Sequence, residues 1–554
     1  MNRTHVLTAA CHALAICLML ATGSSLLAQD AVTRVFIFAG QSNMVGSDSR
    51  VDDVDKFAPF KGYGDVQQDV RFWYCIGREN KTKSNGWEQL KPIRDIVGPE
   101  LSFARETKKR SDAPIAIIKV AAGGTHLGGD WNPDEPQGFK MYPLALRQVR
   151  EALAELKKQK IAYRLEGFMW HQGENDMFNE EYKLNYGPNL TNFMARWRKD
   201  LQTPNLKFYV GELCTKTIWG MDLRPRMFAI SEGQKQAVSE DGNAEYIPTS
   251  HVGVEIGNPV GLHYHYGTLG QLEHGANYAQ AYLRDIGKLP KESPAQWAKP
   301  KSKAIRLFIL AGHRNMEGER SFVQDLAAAN AELAKPMRHV GFKFSLGGGV
   351  RTSDGWQALK PAGYYDTYGP ELSFARSVGN DSSNQTPIAI AKFTHSGSQM
   401  NDWTPEGSIA KTRHLYPAWI KFIRQSIKEL EEEGYEVQLQ GIFYHVGENE
   451  MSMHPYRKSA AKWLRATIDQ TRLDLQLPDL LWFVSQQPPT DHKNVNGIDV
   501  VSDIRKLAES DPAMHHVYIE DFPTQPKRLV LDTPGILHVG KRLAASYLEV
   551  SEKE

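Results

Sequence analysis

One frame of residues occurs twice in this chain, about 270 residues apart, and it constrains the fold more than any other feature. Val35-Phe-Ile-Phe-Ala-Gly40-Gln41-Ser42-Asn43-Met44-Val-Gly46 returns as Leu307-Phe-Ile-Leu-Ala-Gly312-His313-Arg314-Asn315-Met316-Glu-Gly318. Further blocks return in the same order. Ser84-Asn-Gly86-Trp87 matches Ser353-Asp-Gly355-Trp356, and Gly98-Pro-Glu100-Leu-Ser-Phe-Ala-Arg105 is repeated unaltered as Gly369 to Arg376. Gly167-Phe-Met-Trp-His171-Gln172-Gly173-Glu174-Asn175 becomes Gly441-Ile-Phe-Tyr-His445-Val446-Gly447-Glu448-Asn449. Solenoid repeats run about 20–50 residues, so a period this long means tandem domains. The seam is expected in the Pro- and Lys-rich stretch 291–303, with one domain over 29–290 and a second over 304–554.

Within each copy, short apolar runs alternate with longer amphipathic ones. Arg34–Ala39, Ile115–Val120, Gly167–His171 and Lys207–Val210 read as buried parallel strands, and Leu144–Lys158 and Asn189–Leu201 as helices. That alternation argues for an α/β fold, a parallel sheet covered by helices on both faces. In such sheets ligands meet the carboxyl ends of the strands. The repeated motifs each follow an expected strand.

The 66 basic and 65 acidic residues leave a formal charge of +1, which gives no reason to expect nucleic acid or an anionic membrane as partner. The first residues form a separate unit. A basic start, an apolar run over Val6–Leu20 and small residues to Ala28 read as a signal peptide spanning 1–28, removed near Ala28. The run is short for a membrane anchor, and no later stretch is long enough to span a bilayer. A secreted or periplasmic location follows. Cys11 and Cys17 leave with the signal; whether the remaining Cys75 and Cys214 pair is not legible in the sequence.

The chemistry concentrates in the first copy. Ser42 follows the first strand on a tight turn, with its own N–H directed at the same edge. Gly123 and Gly124 follow a second strand, where a missing Cβ lets a backbone N–H approach a ligand. Gln172 follows a third strand and offers a side-chain amide. Two backbone N–H groups and one amide converging on a point would make an oxyanion hole. A base for the serine is expected in Gly261-Leu-His263-Tyr-His265-Tyr-Gly267.

Gly-Gln-Ser-Asn-Met, Gly-Pro-Glu, Gly-Gly-Thr, Trp-His-Gln-Gly-Glu-Asn and a late His together resemble the SGNH hydrolases. More narrowly, they are similar to the carbohydrate esterases that include sialate O-acetylesterases and acetylxylan esterases. The resemblance spans copy one and, in weakened form, copy two. It implies two three-layer α/β/α, flavodoxin-like domains, a Ser–His pair, no metal and no cofactor. It further implies an acetylated carbohydrate substrate, with Ser42 as nucleophile and Ser42, Gly124 (or Gly123) and Gln172 as the oxyanion hole. In the family's pattern the base stands ten residues before a Gly that opens the last helix; counting back from Gly275 gives His265, with His263 as the alternative. The pattern also has Asp three residues before the His, but here Leu262 or Val260 stands there. Glu255 or Glu174 could supply a carboxylate from elsewhere. Gln41, Asn43, Met44, His126 and Trp131 are the substrate-binding candidates.

The second copy lacks this chemistry. Ser42 corresponds to Arg314, Gln172 to Val446, Gly124 to Ser398 or a neighbour, and the residue ten before Gly540 is Val530. A guanidinium stays charged and cannot be a nucleophile. Copy two therefore reads as an inactive esterase-like domain. It also serves as an internal control: His171 and Glu100, retained there as His445 and Glu371, are expected to serve the fold. Two alternatives complete the reading. The His263, His265 and His274 cluster could be a metal site, but no recognisable ligand set completes it. The whole protein could be a non-catalytic glycan-binding or scaffold protein, for which the absent Asp is the main argument.

Overall fold

The computed structural model describes residues 32–79, 81–213, 223–252, 265–290, 293–408, 413–452, 454–489, 497–523 and 529–552, with only the backbone of 217, 218, 262, 263, 454 and 455. The expected signal segment, Cys214, Glu255 and the side chain of His263 lie outside the described residues.

Besides two short edge strands (Thr82–Lys83 and Glu88–Leu90) that pair antiparallel with the second, the first sheet has six main strands: β1 (Thr33–Gly40), β2 (Gln67–Ile76), β3 (Ile115–Ala121), β4 (Tyr163–His171), β5 (Lys207–Gly211) and β6 (Ala244–Ile247). They run in the order β2-β3-β1-β4-β5-β6, and every neighbouring pair is parallel. The helices include α1 (Ser42–Val45), α2 (Pro99–Lys108), α3 (Met141–Lys158), α4 (Tyr186–Asp200), α5 (Arg224–Ser239) and α6 (Gly267–Asp285). The central strand shows why both faces are covered. Val35, Ile37 and Ala39 enter one core with residues of α3 and α4, while Phe36 and Phe38 enter another with Phe103 and Tyr278 of α2 and α6. With side chains alternating at period two, a strand apolar at every position must be buried on both sides.

The second copy repeats this arrangement. Its main strands are β7 (Ala304–Gly312), β8 (Met337–Leu346), β9 (Ile388–Thr394), β10 (Glu436–His445), β11 (Trp482–Gln486) and β12 (Met514–Tyr518), in the order β8-β9-β7-β10-β11-β12. Its helices include α7 (Arg314–Glu317), α8 (Glu371–Gly379), α9 (Tyr416–Glu432), α10 (His454–Leu475), α11 (Val500–Glu509) and α12 (Thr533–Ser551). The chain is thus two tandem three-layer α/β domains.

One detail of the expected register changes. Gly275 does not open the last helix; it lies within α6, which begins at Gly267. A Cβ there would collide with the Pro99 carbonyl and the Ser102 hydroxyl of α2. Gly540 in α12 meets Pro370 and Ser373 in the same way. The glycine is kept in both copies because two helices cross at backbone contact, and the helix start lies nearer to His265 than the motif suggests.

The two domains pack on each other. Trp297 is buried against Trp356 and Tyr435 of the second domain. Arg224, at the start of α5, forms a buried ion pair with Asp402 at 2.6 Å. The His251 ring stacks on Tyr364 at 3.9 Å, and the Tyr365 hydroxyl donates to the Glu273 carbonyl at 2.9 Å. No helix among the described residues is long and apolar enough to cross a membrane.

Candidate active site

The Ser42 turn is held from below by charge. Lys119 on β3 is buried with Glu100 on α2, its ammonium 2.7 Å from the carboxylate, and it also donates to the Val45 carbonyl at 3.1 Å. Burial pulls the Lys119 ammonium below its ordinary value, with Glu100 opposing the shift. Lys392, Glu371 and the Glu317 carbonyl repeat the set in the second copy, as expected for a structural device. Above it, the N–H groups of Gly46 and Ser47 both donate to the Ser42 carbonyl and close the turn. Ser42 Oγ is enclosed and makes no hydrogen bond among the described residues. The N–H groups of Ser42 and Gly124 have no acceptor there either. Gly123 faces the serine, since a Cβ on it would lie 3.4 Å from Ser42 Cβ. Gly124 has φ +73, a left-handed conformation in which a side chain is strained, and a Cβ there would lie 3.0 Å from the Arg78 guanidinium.

His265 is delivered by the segment entering α6. The Tyr266 N–H donates to Asn43 Oδ1 at 3.1 Å, tying the residue after the histidine to the residue after the serine. Thr268 Oγ1 accepts from the Arg50 N–H at 2.8 Å and donates to the Arg50 carbonyl at 3.2 Å. His265 is mostly buried, and its Nδ1 lies 2.6 Å from Oδ2 of Asp48, a carboxylate with 74% of its side chain exposed. The sequence reading did not single out Asp48. The available signal was its replacement by Arg320 in the second copy.

Several expected roles change. Met44 and Trp131 are fully buried in the two cores, and the Trp131 indole donates to Thr125 Oγ1 at 2.9 Å. Gln41 and Asn43 are buried as well. Gln41 Oε1 accepts from the Gln172 amide at 3.1 Å and the Gly173 N–H at 3.2 Å, while Asn43 donates to Glu174 at 2.6 Å. Glu174 accepts from Asn43, with His171 3.6 Å away, and its carboxyl stays below the ordinary range because these partners outweigh burial. The Gln172 amide also donates to the Thr125 carbonyl at 3.0 Å and to Asp176 at 2.5 Å, and its oxygen accepts from Tyr186. It shapes the Gly124 loop instead of offering the free donor expected of it. His126 alone of the substrate-binding candidates is half-exposed; its hydrogen bond to Asp130 raises its pKa despite burial. Its ring meets the Tyr182 ring edge-on at 5.6 Å. His274 is buried against His171 at 4.7 Å, and burial holds it well below the ordinary histidine range.

The second copy can now be superposed residue by residue. Asn315 Oδ1 accepts from the Leu531 N–H at 2.8 Å, as Asn43 does from Tyr266, so Val530 stands where His265 does. Ser398 accepts the Trp403 indole and donates to the carbonyl three residues back, as Thr125 does with Trp131 and Ala122. Ser398 thus matches Thr125, and Gly124 corresponds to Gly397: the glycine survives. Arg314 fills the serine's place with a buried ion pair, its guanidinium 2.8 and 2.9 Å from the two oxygens of Glu319. His313 replaces Gln41, its Nε2 2.7 Å from the Tyr444 hydroxyl and its Nδ1 2.8 Å from Ser398 Oγ. The polar network of the first copy has been rebuilt as packing and charge.

A parallel α/β/α sheet with a serine on the turn after its central strand and a histidine before its last helix defines an SGNH-type hydrolase. The sequence model of the family described as carbohydrate esterase, sialic acid-specific acetylesterase, matches residues 32–284 and again 304–549, and the chain belongs to this family. A protein of Arabidopsis thaliana named "Probable carbohydrate esterase" is 24% identical over 287 residues, which cover 46% of this chain and 91% of the relative. Among solved structures, the Arabidopsis thaliana protein aligns with TM-score 0.36 and 22% identity over 46% of this chain and 98% of its own. NanS aligns with TM-score 0.36 and 15% identity over 47% and 99%. A carbohydrate acetylesterase from Xanthomonas citri aligns with TM-score 0.32 and 16% identity over 48% and 60%.

Proposed function

We propose that the first domain is a serine esterase that removes O-acetyl groups from carbohydrate through an acetyl-enzyme on Ser42. The observation that carries this reading is the environment of Ser42: an unbonded hydroxyl beside Gly123, with the N–H groups of Ser42 and Gly124 uncommitted and a histidine segment clamped to the same turn. Ser42 Oγ attacks the acetyl carbonyl while His265 takes its proton. The negative oxygen is received by the N–H groups of Ser42 and Gly124; losing one such donor typically costs about 3–4 kcal/mol in the transition state. His265 then gives the proton to the departing sugar oxygen as the ester C–O bond breaks. Water, deprotonated by the same ring, cleaves the acetyl-enzyme and releases acetate. Gln172 acts at one remove, fixing Thr125 and so the Gly124 loop. In this reading the half-exposed His126 contacts the sugar.

The second domain performs no turnover in this reading, because nucleophile and base are replaced by Arg314 and Val530. Membership of the family points to acetylated glycans as substrates, and the composition of 1–28 to export. The test compares hydrolysis of p-nitrophenyl acetate and acetate release from acetylated xylan and O-acetylated sialic acid by the wild type and Ser42→Ala. Loss of at least a thousandfold in kcat, together with labelling of Ser42 alone by a fluorophosphonate probe, is the expected result. Equal rates for the two proteins would leave a binding or scaffold protein as the better description.

A further inference from the structure

We propose that Asp48 is the carboxylate that orients His265, replacing the acid missing from the position three residues before the histidine. This rests on the esterase reading of Ser42 and His265. Asp48 Oδ2 lies 2.6 Å from His265 Nδ1, across 217 residues of sequence. With Nδ1 donating to a carboxylate, the ring is held in the tautomer whose Nε2 is the basic nitrogen, the one that must take the serine proton. The carboxylate also opposes the positive charge that forms on the ring.

Three further observations separate this pair from an incidental surface contact. Asp48 is built into the nucleophile's own turn: it follows Ser47, whose N–H donates to the Ser42 carbonyl. It precedes Ser49, whose hydroxyl bonds the Gly46 and Val97 carbonyls. The turn that places the nucleophile therefore places the acid. Second, Asp48 adopts φ 61, a left-handed conformation that Asp and Asn tolerate better than other side-chain-bearing residues. Third, the second copy lost both partners together. Ser321 repeats the bonds of Ser49, to Gly318 and Tyr368, so Asp48 aligns with Arg320 without a gap, as His265 aligns with Val530. Serine, histidine and Asp48 are thus replaced as a set, by Arg314, Val530 and Arg320, while the surrounding fold is retained.

The order along the chain is Ser, Asp, His, with the acid six residues after the nucleophile. Because Asp48 is largely exposed, water weakens its hold, and the effect of removing it is smaller than for a buried acid. Asp48→Asn keeps the size and the tolerance for positive φ but cannot accept the ring N–H as a charge. Measured on the full chain with p-nitrophenyl acetate, kcat is expected to fall about 10- to 100-fold with KM within twofold. Asp48→Glu should recover to within about fivefold of wild type, and the thermal midpoint of Asp48→Asn should be unchanged. The far-downfield imidazole N–H proton resonance expected of the wild type should vanish in Asp48→Asn and in His265→Gln. A kcat for Asp48→Asn within twofold of wild type overturns the proposal while leaving the esterase reading intact. So does a loss accompanied by a lowered midpoint and no recovery in Asp48→Glu. If Ser42→Ala hydrolyses as fast as wild type, it is the underlying reading that fails.

Discussion

Arg314 is the most informative residue to restore. It stands where the first copy has its serine, and Glu319 stands where the first copy has Ser47: the Glu319 N–H donates to the Arg314 carbonyl as the Ser47 N–H does to that of Ser42. One guanidinium nitrogen, Nη1, donates to both Glu319 oxygens, and 4% and 2% of the two side chains are exposed. Removing one partner of a buried ion pair typically costs about 3–5 kcal/mol, because the other charge stays behind without compensation. The cost of Arg314→Ser belongs in this range, since Glu319 is not the only carboxylate left behind. Glu448 is buried close by; burial pushes its pKa up to about 7, against the pull of Arg314, and without the guanidinium it rises further. The double variant, Arg314→Ser with Glu319→Ser, installs both residues of the first copy and leaves no lone charge at this pair. It should be more stable than Arg314→Ser alone by about 2 kcal/mol, the size of coupling found between contacting groups. Because two domains need not unfold as one unit, stability is best read from hydrogen exchange of second-domain peptides covering β7 and β10 at increasing urea. Carrying Ser42→Ala in every variant exposes any turnover gained by the second domain, and none is expected, since Val530 supplies no base. Additive costs for the two single variants would refute the ion-pair argument. Hydrolysis by Arg314→Ser in that background would refute the claim that the second site lacks more than its serine.

Two other outcomes are expected. The second domain should lose stability as pH rises from about 6.5 to 8.5: burial lifts the pKa of Glu448 to about 7 and of Glu450 to about 8, so their neutral forms stabilise the fold fully below the ordinary carboxylate range and that contribution fades as pH passes through 7 and 8. His313 and His445, held down to about 3 and 4, act oppositely: their contribution is present above about 6.5 and lost as pH falls below it. A maximum near pH 6 follows, and a second domain whose hydrogen-exchange protection, corrected for intrinsic rates, rises towards pH 8.5 would contradict these burial effects. Trp131→Ala should destabilise the first domain by about 3–5 kcal/mol through cavity formation, measured by urea unfolding. A stable variant with only a raised KM for glycan would mean that the ring contacts substrate after all.

The architecture was legible in the chain alone. Strands such as β1, apolar at every position from Val35 to Ala39, can only be buried on both faces, and the repeated frames fix two domains, the serine turn and its arginine-bearing counterpart. The sequence also pushed His171 and Glu100 towards structural roles through their survival in the second copy, and the Lys119–Glu100 pair under the turn gives the physical basis for the latter. What it could not decide was which motif residues face inward. Gln41, Asn43, Met44 and Trp131 are neighbours of the chemistry in sequence, yet their side chains are consumed by packing and hydrogen bonding beneath the site. Nor could it find a partner for His265, because the family's spacing offers only Leu262 and the carboxylate arrives from Asp48. Local periodicity records which face of a strand or helix is apolar, whereas a contact across 217 residues exists only after two separate segments have been set down on the same sheet edge. That placement depends on Asn43 gripping the Tyr266 backbone and on Ser49 gripping Val97. These are tertiary hydrogen bonds, and they leave no periodic trace in the chain.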